Sequence, residues 1–92
     1  MKKTLHVLIE GRVQGVGYRQ WLAREAMALG LNGWVRNRTN GKVEATVSGP
    51  EEDVDQLVAA AKRGPRLALV SKIVAQTAHD ENWPDFSIHA TL

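Results

Sequence analysis

The chain has no cysteine, three prolines, one phenylalanine and one tyrosine among its 92 residues. Without a thiol it can have no disulfide framework, thiolate nucleophile, zinc–thiolate centre or iron–sulfur ligation, although a cysteine-free chain suits reducing and oxidising compartments alike. No apolar run approaches the ~20 residues a membrane-spanning helix needs. Lys2 and Lys3 precede the apolar stretch Leu5–Ile9, but His6 interrupts it and Glu10 stops it. The continuous apolar region and small-residue cleavage site of a secretion signal are therefore missing, and a cytoplasmic protein with no membrane partner is expected. Neither sign of charge dominates. Twelve basic and ten acidic side chains leave a net charge of +2, too mild to imply a nucleic-acid footprint, so no nucleic-acid partner is expected.

The composition, 43% hydrophobic and 24% charged, is that of a globular protein rather than a disordered chain. A chain of this length has room for one core, burying about 60–65% of its unfolded surface. Residues 1–92 are read as a single domain, with no linker, low-complexity run or repeat. A monomer is the default for so small a domain without an evident apolar interface.

Leu5, Val7 and Ile9 alternate with Thr4, His6, Leu8 and Glu10, the period of two that marks a half-buried strand. Three glycines then fall within Gly11-Arg12-Val13-Gln14-Gly15-Val16-Gly17, where the backbone must turn sharply or approach something closely. Leu22, Ala26 and Leu29, with Tyr18 and Trp21 extending the stripe, follow helical spacing and predict a helix over about 19–29, closed by Gly30. Strands are expected at Gly33–Asn37 and Lys42–Ser48, joined through Arg38-Thr39-Asn40-Gly41, whose Asn-Gly pair favours a hairpin. A second helix is expected to start with Ser48 or Gly49 as cap and Pro50 in its first turn, followed by Glu51, Glu52 and Asp53 at its positive end. Lys62 and Arg63 suit its negative end, and Gly64-Pro65 ends it. A strand around Leu69–Gln76, a polar loop Thr77–Asp85 and a short strand Phe86–His89 complete the chain.

The order βαββαβ plus a short extra C-terminal strand, in so few residues, predicts a ferredoxin-like α+β sandwich: an antiparallel sheet with two helices on one face. In a right-handed split βαβ unit the first two strands run parallel with another between them, so their C-terminal ends reach the same edge. The glycine loop and Asn37 should then be neighbours.

Successive N–H groups of a glycine-rich turn entering a helix N-terminus form an anion-binding concavity. Gln20 stands where a dinucleotide fingerprint needs a further glycine, and the Gly-Lys followed by Ser or Thr that a Walker loop needs is absent. What remains is a cradle sized for one phosphoryl group, with Arg19 able to offer a two-pronged charge-assisted pair. On spacing alone a plainer reading stays open, in which the glycines only shape the turn and Arg19 is solvated. Asn37 is open in the same way, because asparagine before a turn commonly satisfies local backbone.

Gly11-Arg12-Val13-Gln14-Gly15-Val16-Gly17-Tyr18-Arg19 resembles the signature loop of the acylphosphatases. Gly33-Trp34-Val35-Arg36-Asn37-Arg38-Thr39-Asn40-Gly41-Lys42-Val43, with Gly49 six residues on, resembles their second signature. The similarity runs from Leu5 to about Val70, and Thr77–Asp85, with Trp83-Pro84, matches least well. The resemblance implies hydrolysis of small acyl phosphates to carboxylate and inorganic phosphate, without a metal or organic cofactor. It places Arg19 at the phosphate-binding arginine, Asn37 at the water-orienting asparagine, and the amides of Gln14, Gly15, Val16, Gly17 and Tyr18 in the phosphate cradle.

No general base or metal triad is evident beside these residues. His6 and His89 fall in expected strands and His79 in a polar loop, and Glu51, Glu52, Asp53 and Asp55 read as a helix N-terminal charge cluster. Trp21, Trp34 and Trp83 read as core or rim packing rather than a base-stacking platform. Two rivals share this fold or loop: a single-strand nucleic-acid module, which lacks its paired strand aromatics here, and an anion sensor without turnover, which would not need a water-aiming carboxamide.

Overall fold

A computed structural model describes every residue from Met1 to Leu92. The elements are β1 (Lys2–Arg12), α1 (Tyr18–Ala28), β2 (Asn32–Asn37), β3 (Val43–Pro50), α2 (Glu51–Arg63), β4 (Leu69–Thr77) and β5 (Phe86–Ile88). They form one five-stranded sheet in the order β4-β1-β3-β2-β5. β1 pairs antiparallel with β3 and β4, and β2 antiparallel with β3. This is the expected ferredoxin-like arrangement, with β1 and β2 parallel across β3. Only the added strand departs from antiparallel pairing, since β5 runs parallel to β2 with Gly33 opposite Phe86.

Both helices lie on one face. Leu22 of α1 and Leu57, Val58 and Ala61 of α2 meet Val7 and Ile9 of β1 and Ala45 and Val47 of β3 around a small apolar void. Ile9, Val35, Val43 and Val54 are fully enclosed, each stabilising the fold by about 1.5–3 kcal/mol relative to exposure. The opposite face carries no helix and is built from the alternate residues, among them His6, Trp34, Arg36 and Glu44.

The start of α2 differs from the sequence expectation. Pro50 is not in the first turn but is itself the cap, at φ −55° and ψ 136°. The reason lies in β1, whose first residues prolong the ladder so that Lys2 pairs with Pro50 and Lys3 with Gly49. The fixed φ of proline is compatible with extended backbone as well as with helix, and the pairing decides between them.

Of the expected polar loop Thr77–Asp85, Thr77 ends β4 by pairing with Leu5, and the remainder is a strap. It must travel from the β4 edge to the β5 edge, past β1, β3 and β2. Ala78 N–H donates to Thr4 O at 2.9 Å, the Lys2 ammonium meets Asp80 at 2.6 Å, and Gly33 N–H donates to Asp85 O at 2.9 Å. It delivers Phe86 into the core at 3% exposure.

Candidate active site

The loop between β1 and α1 owes its shape to two left-handed glycines. Gly15 has φ 75° and Gly17 φ 77°, whereas Gln14, Val16 and Tyr18 keep negative φ. A side chain at Gly15 or Gly17 would meet open space, so the backbone conformation, not crowding, requires glycine there. Residues of alternating hand turn their successive N–H groups toward a common centre. None of the amides from Gln14 to Gln20 donates to any group of the chain. Gly17 caps α1 without a side-chain hydrogen bond, and no acidic residue stands in the first turn of α1. α2 offers the contrast, with Glu51, Glu52 and Asp53 at its positive end. The N-terminus of α1 is thus left free to receive an anion.

A cleft of about 390 Å³ opens over this loop, lined by Val13, Gly15, Gly17, Tyr18, Arg19, Gln20, Arg24 and Asn37. The topology has brought the residues after β1 and the last residue of β2 to one edge, as the split βαβ geometry requires. No carboxylate and no histidine lines the cleft, and neither Arg19 nor Arg24 forms a salt bridge. Two uncompensated guanidinium groups therefore give it a positive potential.

Asn37 is held by backbone on both sides. It pairs with Val43 in β3, and its carbonyl accepts from Leu92 N–H at 3.2 Å. Its side-chain Oδ1 is buried and has no hydrogen-bond partner in the chain. An orphaned acceptor of this kind costs about 1–3 kcal/mol, and a ligand or catalytic role is one of the few things that account for such a group. The local backbone duty open to Asn37 on sequence grounds is done instead by Asn40, whose Oδ1 accepts from Lys42 N–H at 3.0 Å.

Gln14 and Val16 do not line the cleft. The Gln14 side chain turns toward the β2–β3 hairpin, where its Nε2 donates to Arg38 O at 2.8 Å and to Lys42 O at 2.9 Å. Val16 packs half-buried against the core. Tyr18 lines the cleft while only 1% exposed, donates its hydroxyl to Ala61 O at 2.7 Å and tilts against Trp21. Burial pushes the Tyr18 phenol well above its ordinary pKa, so it stays protonated. Val13, Gln20 and Arg24 also line the cleft but are not among the site residues expected from the sequence. The spacing of Gln20 and Arg24, one turn apart on α1, was the signal available for them. The three histidines lie elsewhere: His6 pairs with Glu44, His79 is exposed, and His89 stacks on Trp34 with ring centroids 5.4 Å apart.

The family model for acylphosphatase matches residues 5–88. The chain belongs to the acylphosphatase family. An acylphosphatase of Thiobacillus denitrificans is 59% identical over 71 residues, covering 77% of this chain and 80% of that protein. One from Rhodopseudomonas palustris is 53% identical over 75 residues, covering 82% and 76%. The crystal structure of acylphosphatase from Bacillus subtilis superimposes with a TM-score of 0.91 at 37% identity, covering 97% of this chain and 99% of that one. The protein is accordingly an acylphosphatase-type hydrolase, whose substrates are small acyl phosphates and whose product is inorganic phosphate. No helix is long and apolar enough to cross a membrane.

Proposed function

We propose that Arg19 and the amides of Gln14, Gly15, Val16, Gly17 and Tyr18 bind the phosphoryl group of an acyl phosphate while Asn37 orients the attacking water. The observation that carries this reading is the pairing, across one cleft, of unpaired loop amides with an asparagine whose Oδ1 has no partner. In phosphoryl transfer the transition state is loose, with charge spread over the three equatorial oxygens, so positioning and electrostatics supply most of the catalysis. Backbone donors and a guanidinium suit that charge distribution. The bond from water oxygen to phosphorus forms as the phosphorus–acyl oxygen bond breaks, and the electron pair departs with the carboxylate. Water's protons pass to the phosphate oxygens and to bulk solvent.

The parent acid of the leaving group has a pKa near ~4–5, so no general acid need protonate it. A cleft without histidine or carboxylate is adequate for this reaction and offers no ligand set for a divalent ion. The reaction we propose is therefore metal-independent, and we place it in the cytoplasm.

The test is a continuous assay with benzoyl phosphate, with phenyl phosphate as control. Rapid cleavage of the anhydride alone is the expected result, and it should survive exhaustive chelation. Asn37→Ala should lower kcat about a hundredfold while the inhibition constant of inorganic phosphate stays within about twofold, since orientation and affinity are separable. Phosphate binding without turnover would make the protein an anion-binding module instead.

A further inference from the structure

The residues on either side of Asn37 share one anchor. Arg36 and Arg38 turn to the helix-free face of the sheet, opposite to the cleft, and both reach Glu44 of β3. Glu44 Oε1 accepts from Arg36 Nε at 2.7 Å and from an Arg38 guanidinium nitrogen at 3.4 Å. Its Oε2 lies 2.6 Å from His6 Nε2 of β1. The Glu44 side chain is only 12% exposed. Arg36 is pinned further, with its guanidinium carbon 4.7 Å from the centre of the Trp34 ring, which in turn stacks on His89.

We infer that Glu44 is a positioning residue for hydrolysis: by gripping Arg36 and Arg38 from behind the sheet it holds the Asn37 carboxamide in place. The inference rests on the reading that Asn37 orients the water. Asn37 ends β2 with its main chain held by Val43 and Leu92, but its side-chain Oδ1 has no partner in the chain, so a small twist of the strand end would swing the carboxamide. A carboxylate joining its two neighbours across β1, β2 and the hairpin opposes that movement. Catalytic geometry tolerates displacements of only about 0.5 Å, and a misplacement of about 1 Å can cost a hundredfold in rate. Stability alone does not call for this arrangement, because apolar groups of similar volume often replace a buried ion-pair network without loss. Such groups would not tie both flanks of Asn37 to one point.

The experiment compares the whole protein with Glu44→Gln, Glu44→Ala, Asn37→Ala and the double variant Glu44→Ala/Asn37→Ala, using benzoyl phosphate turnover and inhibition by inorganic phosphate. Glu44→Ala should lower kcat about tenfold and leave the phosphate inhibition constant within about twofold. Glu44→Gln, nearly isosteric, keeps one acceptor for Arg36 and should fall between; it carries the test if the alanine variant does not fold. In the Asn37→Ala background the loss at Glu44 should shrink below about twofold, because a residue acting through Asn37 has nothing left to act on. The inference is overturned if folded Glu44 variants keep wild-type kcat, if phosphate inhibition weakens in step with kcat, or if the two losses multiply. A wild-type kcat for Asn37→Ala alone would remove the underlying reading instead, without reference to Glu44.

Discussion

Gln14 Nε2 lies 2.9 Å from the carbonyl oxygen of Lys42, so the loop after β1 is tied to the hairpin after β2. The same nitrogen serves Arg38 O at 2.8 Å, and the two bonds set the separation between the loop amides and Asn37. Both carbonyls keep a backbone partner without Gln14, since Lys42 O accepts from Arg38 N–H and Arg38 O from Gly41 N–H. Gln14→Ala should therefore cost only about 1 kcal/mol of stability. Its larger effect should fall on catalysis, with kcat/KM down about tenfold through loss of positioning. Urea unfolding beside steady-state kinetics separates the two, and an unchanged kcat/KM would show that the loop keeps its place unaided.

Arg19 and Arg24 both line the cleft without a carboxylate partner, but they differ in exposure: Arg19 is half-buried and Arg24 exposed. Arg19→Ala should remove about 2.7–4 kcal/mol of transition-state stabilisation, a loss of roughly a hundredfold to a thousandfold in kcat/KM, and should weaken phosphate inhibition. Arg24→Ala removes an exposed charge worth about 0.2–1 kcal/mol. Its effect should stay within about fivefold and vanish near 1 M salt, where the screening length is about 3 Å. Kinetics at low and high ionic strength check both, and equal losses for the two arginines would contradict this ranking.

The hydroxyl of Tyr18 repairs a gap left by proline. Ala61 lies in the last turn of α2, and the residue four places on is Pro65, which has no N–H to donate to it. Tyr18 supplies the missing donor at 2.7 Å. Tyr18→Phe leaves the Ala61 carbonyl unserved in a buried place and should cost about 1–3 kcal/mol. Denaturant unfolding measures it, and a shift in midpoint below about 0.5 kcal/mol equivalent would mean that another donor reaches Ala61.

Acid should loosen the helix-free face. Burial by itself would raise the Glu44 pKa, but hydrogen bonds from His6 and Arg36, together with their charges, outweigh it and hold the carboxyl below its ordinary value; Arg38 faces the same oxygen. A carboxylate with a lowered folded pKa contributes its stability in full above the unfolded value. That contribution is lost as pH falls through the folded one. Stability should thus drop below about pH 4.3. Glu44→Gln should be less stable than wild type near neutrality, with the gap narrowing on acidification. Unfolding free energies of both proteins across that range decide it, and a gap that stays constant would deny the linkage.

Much of this molecule was legible in its residues. The alternation at Leu5, Val7 and Ile9, the Asn-Gly hairpin signal and the Gly64-Pro65 stop are local patterns, and local patterns suffice to order the elements. Element order then restricted the topology, and topology put Arg19 and Asn37 at one edge. The limits were also physical. Gln14 reaches acceptors 24 and 28 residues away, and Tyr18 reaches 43 residues to Ala61. Glu44 collects its partners from β1, β2 and the hairpin. Where a polar side chain finds its partner depends on which strands the fold makes adjacent, and no period in the sequence encodes that. The parallel pairing of β5 is of the same kind, since a three-residue strand takes its direction from the strap that carries it across the sheet. Residue pattern therefore determined the order of the elements and pointed to the groups proposed to bind a phosphoryl anion, whereas the fold decided how firmly those groups are held, because the bonds that hold them join residues distant in the chain.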